Sequence, residues 1–280
     1  MRIQYFGTAA AEGVPAMFCD CAICRNAREK GGKEIRTRSQ ALVDGRLLID
    51  FPADTYMHML YGGLPLPQIT SCLLTHSHSD HCYPADLEMR SVGMAPELPK
   101  GAQGPLTVYG SPAALAGMQK IVSSYGLDKQ GRVSLCEVEP FTPFTVEGYI
   151  VTALPANHAP HTGPQFYIIA GPDKTMLYAH DTGYFPEETW EYLQKEKPCF
   201  DFVSLDCNYM DMGYMPNGHM SFEVNLAVRD RLYELGCAHD KTVWCAHHFS
   251  HNSLLTHEQM EARAAKDGFL ASYDGMIVDF

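Results

Sequence analysis

The sequence predicts an α/β fold of the α+β kind, in which two mixed β-sheets pack together and helices cover their outer faces. Short runs typical of β-strands recur along the whole chain, and Asp44-Gly45 joins two of them as a hairpin turn. Helical segments with capping residues fall between these strands. The strand-like runs are Arg2–Phe6, Gln40–Val43, Arg46–Phe51, Cys72–Thr75, Leu106–Tyr109, Phe144–Leu154, Gln165–Ala170, Thr175–Ala179, Phe202–Leu205 and Thr242–Ala246.

Three helices are predicted from their caps and apolar stripes. Ser111 is typical of a helix start and Gly126 of a helix end, and Ser221 would cap a second helix. Thr256 and Gln259 have the spacing of a capping box for a third. The apolar residues expected to face the core are Leu115, Met118, Val122 and Tyr125 in the first helix and Val224, Val228, Leu232 and Leu235 in the second.

Composition restricts the classes of function. The 280 residues, 46% of them hydrophobic, suit one large domain or two small ones. A net charge of −12 disfavours a broad basic surface for nucleic acid. We find neither a membrane-length apolar run nor a secretory signal, so we expect a cytoplasmic protein with reduced thiols and no membrane partner. The oligomeric state is left open, a homodimer included.

A dense group of metal-binding side chains follows one apolar strand. His76, His78, Asp80 and His81 lie within six residues, directly after the run Cys72–Thr75. Neutral imidazoles and carboxylates bind first-row divalent metals well, and zinc, manganese and iron all tolerate this donor set. The His-x-His pair can serve one ion and the Asp-His pair a second, so the motif predicts a dinuclear site.

Such a site needs ligands from elsewhere in the chain. His158, Asp181 and His248 each follow an apolar strand, and the two oxygens of Asp181 make it the natural shared ligand. Asp50 also ends a strand, and we expect it to orient a ligand histidine from outside the metal shell.

Taken together, these motifs resemble the metallo-β-lactamase superfamily over nearly the whole chain. The resemblance implies one domain over residues 1–280, folded as an αββα sandwich with the metals at one edge. It also implies that His76, His78 and His158 hold one ion, that Asp80, His81 and His248 hold the other, and that Asp181 bridges them. His247 is the alternative to His248, but His248-Phe249-Ser250 is similar to the closing motif of the phosphodiesterase branch containing tRNase Z.

A cysteine cluster extends the resemblance from the superfamily to one family within it. Cys19, Cys21 and Cys24 offer three thiolates, and a structural zinc needs a fourth ligand from a distant segment. With the histidine motif and the C-terminal Tyr-Asp-Gly-Met-Ile-Val-Asp-Phe, this cluster is similar to the phosphoribosyl cyclic-phosphate phosphodiesterase family of the bacterial carbon–phosphorus lyase pathway. That family implies that His251 completes a structural zinc, in a cysteine-rich loop at about residues 13–30.

The same resemblance suggests catalytic groups. His219 matches an extra histidine near the scissile phosphate, where it would donate a proton to the leaving oxygen or stabilise phosphoryl charge. Asp206 would orient a catalytic group, and Asp80 would act in catalysis as well as in metal binding. We expect His161 and His180 to be polar neighbours of the site.

We therefore expect a metal-dependent hydrolase, specifically a phosphodiesterase that acts on a small cyclic phosphodiester such as phosphoribosyl cyclic phosphate. A hydroxide bridging two metal ions would attack phosphorus. Three alternatives remain open: a tRNase Z-like RNA phosphodiesterase, for which we find no basic arm; a carboxylic ester or thioester hydrolase; and a non-enzymatic zinc-binding protein with an inactive fold.

Overall fold

Two seven-stranded mixed sheets dominate the computed structural model, which describes residues 1–213 and 218–280. The first sheet has the order β14-β1-β2-β3-β4-β5-β6 and the second has the order β13-β12-β11-β10-β9-β8-β7. The strands of the first sheet are β1 (Arg2–Gly7), β2 (Gln40–Val43), β3 (Leu47–Ile49), β4 (Ser71–Leu73), β5 (Leu106–Gly110), β6 (Val133–Glu137) and β14 (Ile277–Asp279). Those of the second are β7 (Phe144–Val146), β8 (Tyr149–Pro155), β9 (Gln165–Ala170), β10 (Thr175–Ala179), β11 (Phe200–Asp206), β12 (Ala238–His247) and β13 (Phe269–Ala271).

Six α-helices accompany the sheets in the described residues. They are α1 (Ala22–Lys30), α2 (Thr55–Gly62), α3 (Pro112–Tyr125), α4 (Glu187–Glu196), α5 (Phe222–Glu234) and α6 (His257–Ala265). The Ser111 hydroxyl accepts a hydrogen bond from the backbone of Ala114, and Thr256 and Gln259 form a reciprocal capping box. No described helix combines the length and apolarity needed to cross a membrane.

Three apolar layers hold these elements together. Inward-facing residues of both sheets, such as Ile49, Tyr167 and Phe202, form the central layer between the sheets. The outer face of the first sheet packs on α3 through residues such as Val108 and Met118. Trp190 of α4 and further residues of α5 and α6 cover the outer face of the second sheet. The predicted arrangement of two mixed sheets flanked by helices is therefore confirmed.

Several predicted elements differ in detail from the observed ones. The run Phe144–Leu154 is two strands, because Glu147 and Gly148 both adopt positive φ angles and form a tight turn. Tyr125, expected in the core, is 42% exposed because it lies in the last turn of α3, next to the left-handed Gly126. Helices α1, α2 and α4 and strands β6, β13 and β14 were not predicted, and the three strands have five residues or fewer.

The topology brings strand ends to one edge of the sandwich. Strands β10, β11 and β12 run parallel, so their C-terminal ends lie side by side. Strands β3, β4 and β5 are also parallel and bring the C-terminal end of β4 to the same region. Side chains that immediately follow these strands can therefore meet although they are far apart in sequence.

Candidate metal centre

Three histidines converge on one point at this edge. Nε2 of His76 lies 2.9 Å from Nδ1 of His78, and Nε2 of His158 lies 3.2 Å from the same atom. Burial lowers the pKa of all three imidazoles, most strongly that of His76. Neutral imidazoles with converging nitrogen atoms are suited to binding a divalent cation.

A second, more acidic group lies beside the first. Ligand atoms of Asp80, His81, Asp181 and His248 lie within 4.8 Å of one another, and all four residues are buried. Asp181 connects the two groups: its Oδ2 lies 2.9 Å from His81 Nε2, and its Oδ1 lies 3.8 Å from His158 Nε2. One carboxylate thus faces both sets of imidazoles, as a bridging ligand would.

The chemistry of these groups fits divalent cations. Nε2 of His81 and Oδ2 of Asp181 lie 2.9 Å apart, but neither atom makes a hydrogen bond of acceptable geometry in the described chain. Buried polar atoms of this kind need another partner. Burial opposes a charge on His81, yet the carboxylates of Asp181, Asp80 and Asp50 raise its pKa well above the ordinary value. The surplus of negative charge that would hold this proton would equally hold a cation in its place.

Contacts behind the ligands fix their orientation. The Asp50 carboxylate accepts hydrogen bonds from Nδ1 of His81 (2.6 Å) and from the backbone N–H of Thr75 (2.8 Å). His158 Nδ1 donates to the carbonyl oxygen of Gly218 at 3.0 Å. These bonds leave the opposite nitrogen, Nε2, of each imidazole directed at the site.

His219 lies over the same group and is held by an acid. Its Nδ1 donates to Oδ2 of Asp206 at 2.8 Å, and its ring stacks against that of His248 with the centroids 5.5 Å apart. Burial opposes protonation, but the charge and hydrogen bond of Asp206 outweigh it and raise the pKa of His219 to about 9. Bound cations would act in the opposite direction and lower this pKa.

Backbone conformation at the site is unusual. Asp50, Asp181 and His248 are non-glycine residues with positive φ angles of 67°, 49° and 63°. Such conformations cost free energy and persist where the surrounding structure imposes them. Asp50 and His248 directly follow β3 and β12, and Asp181 follows β10 with only His180 between. The left-handed turn after each strand brings the side chain to the candidate site.

Three other histidines near the site, His247, His180 and His161, have different surroundings. His247 points into the sandwich, where Ser39 and Ser272 contact its two ring nitrogens, so His248 is the residue that reaches the cluster. His180 is also fully buried and bonds to Ser204. His161 is exposed, with its ring 6.2 Å from that of His78.

The cysteine cluster forms a separate four-residue group. Cys19, Cys21, Cys24 and His251 place their ligand atoms within 4.8 Å of one another. Burial raises the pKa of Cys21, but the backbone N–H of Cys24 and the side chain of His251 outweigh it and lower the pKa to about 6. A thiolate donor set of three sulfurs and one imidazole is suited to zinc. His248 and His251, three residues apart, thus face two different groups.

An open cavity of about 470 Å³ gives access to the dinuclear candidate site. Sequence reasoning missed several of its wall residues, because glutamate, asparagine and tyrosine in loops carry no spacing signal. The wall comprises Ala10, Ala11, Glu12, His78, Ser79, Asp80, His158, Asp181, Asn208, Tyr209, His219, His248, Ser250 and Asn252.

Comparison with known families agrees with this architecture. Residues 46–247 match the β-lactamase superfamily domain, which is more than half of the chain. The chain belongs to the β-lactamase superfamily. The matched region contains the histidine motif, Asp181 and the last strand before His248. Within this superfamily, the two-sheet arrangement is the metallo-β-lactamase fold.

Solved structures show the same superfamily fold. A diphosphatase of the PhnP family is 20% identical with a TM-score of 0.74, and the match covers 100% of this chain and 97% of that one. Zn²⁺-bound PqqB from Methylobacterium extorquens is 19% identical with a TM-score of 0.75 and is covered completely, as is this chain. At these identities the likeness shows the fold.

One curated relative is named as a transferase. An octanoyltransferase from Porphyromonas gingivalis is 28% identical over 164 residues, which is 56% of this chain and 31% of the relative. The chain thus matches about a third of the length of that protein.

Proposed function

We propose that this protein is a metal-dependent phosphodiesterase acting on a small cyclic phosphodiester, such as a phosphoribosyl cyclic phosphate. The observation that carries the proposal is the placement of His219 beside two ligand groups joined by Asp181. A proton donor next to a cation-binding carboxylate is what ester cleavage at phosphorus requires, because one oxygen leaves as another attacks.

The dinuclear groups are proposed to hold two divalent cations, with zinc, manganese or iron as candidates, and the thiolate group is proposed to hold a structural zinc. Divalent cations held there would lower the pKa of the attacking water and neutralise the phosphoryl oxygens. In that arrangement His76, His78 and His158 would hold one ion, Asp80, His81 and His248 would hold the other, and Asp181 would be shared.

Asp206 and His219 have separate roles in the proposed reaction. Asp206 fixes the ring of His219 by accepting from Nδ1, so that Nε2 is the nitrogen able to serve the leaving oxygen. Water attacks phosphorus and loses one proton to solvent, one ester P–O bond breaks, and the departing oxygen takes a proton from His219, which solvent then reprotonates. Opening a cyclic ester in this way yields a phosphate monoester and a free hydroxyl.

Acyl thioester hydrolysis is the second candidate, favoured by the curated relative named as an octanoyltransferase. The same site could polarise a carbonyl, since metal-assisted hydrolysis is not specific to phosphorus. The PhnP-family diphosphatase among the structural neighbours favours phosphorus chemistry instead.

The deciding experiment compares substrates on the metal-loaded protein. We expect cleavage of bis(p-nitrophenyl) phosphate and of a phosphoribosyl cyclic phosphate, with no comparable rate on an octanoyl thioester. Thioester turnover without phosphodiester turnover would replace the first proposal by the second.

Asp181→Ala tests the ligand assignment in the same assay. Because the carboxylate faces both groups, we expect loss of bound metal and a fall in kcat/KM of at least about a thousandfold. Asp173→Ala, an exposed aspartate in a turn, is the matched control and should behave as wild type. Wild-type activity and metal content in Asp181→Ala would contradict the assignment.

A further inference from the structure

A separate cavity of about 300 Å³ lies on the outer side of the first sheet. It is bounded by the short helical segment Pro84–Arg90, by the loop that follows this segment, and by the start of β5. The residues that form its wall and those that form the wall of the cavity at the metal centre are different. Whatever occupies this space is therefore not held by the candidate metal ligands.

Apolar side chains form much of the wall of this outer cavity. Phe51, Leu87 and Leu106 border it and belong to the buried apolar layer on the outer face of the first sheet. Leu98 is half-buried in the wall, and Met89 in the same wall is 52% exposed. A concave space lined in this way gains free energy when an apolar group displaces water from it.

Hydrogen bonds hold the loop that closes the outer cavity. At the start of the loop, Arg90 donates through Nε to the carbonyl oxygen of Arg132 at 2.8 Å and through Nη2 to that of Gly104 at 3.0 Å. The backbone N–H of Val92 donates to Oε1 of Gln130 at 2.8 Å. Both ends of the loop are thus fixed, and a ligand that enters a formed cavity has little ordering entropy to overcome.

The charged groups in the wall favour a cation. Asp86 is half-buried, and its carboxylate makes no hydrogen bond or ion pair with any described residue. Burial raises the pKa of Asp86 above its ordinary value, because water solvates the carboxylate incompletely. Glu97 adds a second, exposed carboxylate to the wall. The guanidinium of Arg90 is bonded to backbone carbonyl oxygens instead of to Asp86, so the acid has no cation of its own.

We propose that the outer cavity binds a small organic cation that combines an apolar body with one primary ammonium group. The body would lie against Leu87 and Leu98, and the ammonium group would donate to Asp86. An anionic ligand with the same body would meet two carboxylates in the wall and bind less well. The inference is independent of the proposed phosphodiesterase function, because the two cavities have different walls.

The test compares two ligands that differ in one group, 4-phenylbutylamine and 4-phenylbutan-1-ol. Isothermal titration calorimetry at pH 7, where the amine is protonated, measures binding to the metal-loaded protein. Wild type should bind the amine about tenfold more tightly than the alcohol, which corresponds to about 1.4 kcal/mol. Asp86→Asn preserves the shape of the side chain and should remove most of this preference while the affinity for the alcohol is unchanged.

Two further variants locate the ligand. Asp173→Asn changes an exposed aspartate in a turn, outside the cavity, and should keep the full preference for the amine. Leu98→Ala removes part of the apolar wall and should weaken both ligands by the same factor. Circular dichroism of each variant checks that it is folded.

Four results would overturn the proposal and leave the proposed phosphodiesterase function intact. They are no binding of the amine at millimolar concentration, equal affinities of wild type for the amine and the alcohol, an undiminished preference in Asp86→Asn, and unchanged affinities in Leu98→Ala. The third would show that another acid holds the ammonium group, and the fourth that the apolar body lies elsewhere.

Discussion

Asp206 links two parts of the candidate site through a single carboxylate. Oδ2 accepts from His219 Nδ1 at 2.8 Å and from the backbone N–H of Asp181 at 3.2 Å, and Oδ1 accepts from the backbone N–H of Met220 at 2.9 Å. The side chain is fully buried. Asp206 therefore positions both the proposed proton donor and the residue that joins the two ligand groups.

Removing His219 should affect substrates according to their leaving group. His219→Ala is expected to lower kcat about 10²- to 10⁴-fold on a cyclic ribose phosphate, whose alkoxide must be protonated, and far less on bis(p-nitrophenyl) phosphate. The measurement is kcat on both substrates at equal metal content. His239→Ala, which changes a histidine at the far end of β12, is the control. Equal losses on both substrates would argue against proton donation.

At the scale of single residues, much of the candidate site could be predicted from the sequence. Histidines and acids after apolar strands could be recognised because strand ends meet at a sheet edge. The strand pattern alone could not distinguish His247 from His248, because the two differ only in the backbone turn after β12, and the choice of His248 depended on the resemblance of His248-Phe249-Ser250 to a known motif. Glu12 was missed because its position depends on a loop that no periodicity describes.

The loop before α5 positions a ligand through its backbone. Gly218 has φ of +85°, and its carbonyl oxygen accepts from His158 Nδ1. A Cβ added at Gly218 would lie 2.8 Å from Nδ1 and 2.9 Å from Cα of His158. The loop and the histidine therefore fit only while residue 218 has no side chain.

Gly218→Ala should consequently weaken metal binding. His158 must move, and loss of such an orienting contact typically costs about 10- to 100-fold in metal affinity or activity. Competition with a chelator would measure the affinity. Gly101→Ala shares the positive φ, at +91°, but its Cβ would meet no atom within 4 Å, so it controls for backbone strain alone. Equal affinities in the two variants would contradict this role.

Among the elements, long and well-capped segments were predictable and short ones were not. Helix α3 has a capping serine, an apolar stripe and a closing glycine, and it was found with its bounds. Strands β13 and β14 have three residues each, too few to show an alternating pattern, and they are defined by pairing with β12 and β1. Tertiary pairing decides such elements.

Across the whole molecule, one polar contact ties α2 to the C-terminal segment. The Thr37 hydroxyl oxygen lies 2.6 Å from Asp274 Oδ2 and 2.7 Å from His58 Nε2, and its single proton cannot serve both acceptors. Burial raises the pKa of Asp274 to about 6 and lowers that of His58 to about 4. Folding thus shifts the titration of both groups in favour of the neutral form.

The pH dependence of stability follows from the signs of these shifts. The contribution of Asp274 is complete below its unfolded pKa near 3.8 and is lost as pH rises through about 6. That of His58 is complete above about 6.5 and is lost as pH falls towards 4. Between about pH 4 and pH 6.5, rising pH lowers the contribution of Asp274 to stability and raises that of His58.

Asp274→Asn should remove the contribution of Asp274 to the pH dependence of the free energy of unfolding and leave that of His58. Relative to wild type, the variant should gain free energy of unfolding as pH rises from 4 to 7, by up to about 3 kcal/mol for a shift of about two pKa units. Urea unfolding at both pH values, with the same metal loading, measures the difference. A difference that does not change with pH would show that Asp274 titrates normally in the folded state.

The pairing of β1 with β14 has a consequence for how the protein is made. Arg2 and Asp279 are register partners separated by 277 residues. A ribosome has therefore released the first strand long before its edge neighbour exists, and closing so long a loop is slow. Phe249, which pairs with Ala9 beside the last candidate ligand, arrives almost as late. The site is thus completed only after residue 248 has been synthesised, and until then the histidines near residue 80 lack their later neighbours.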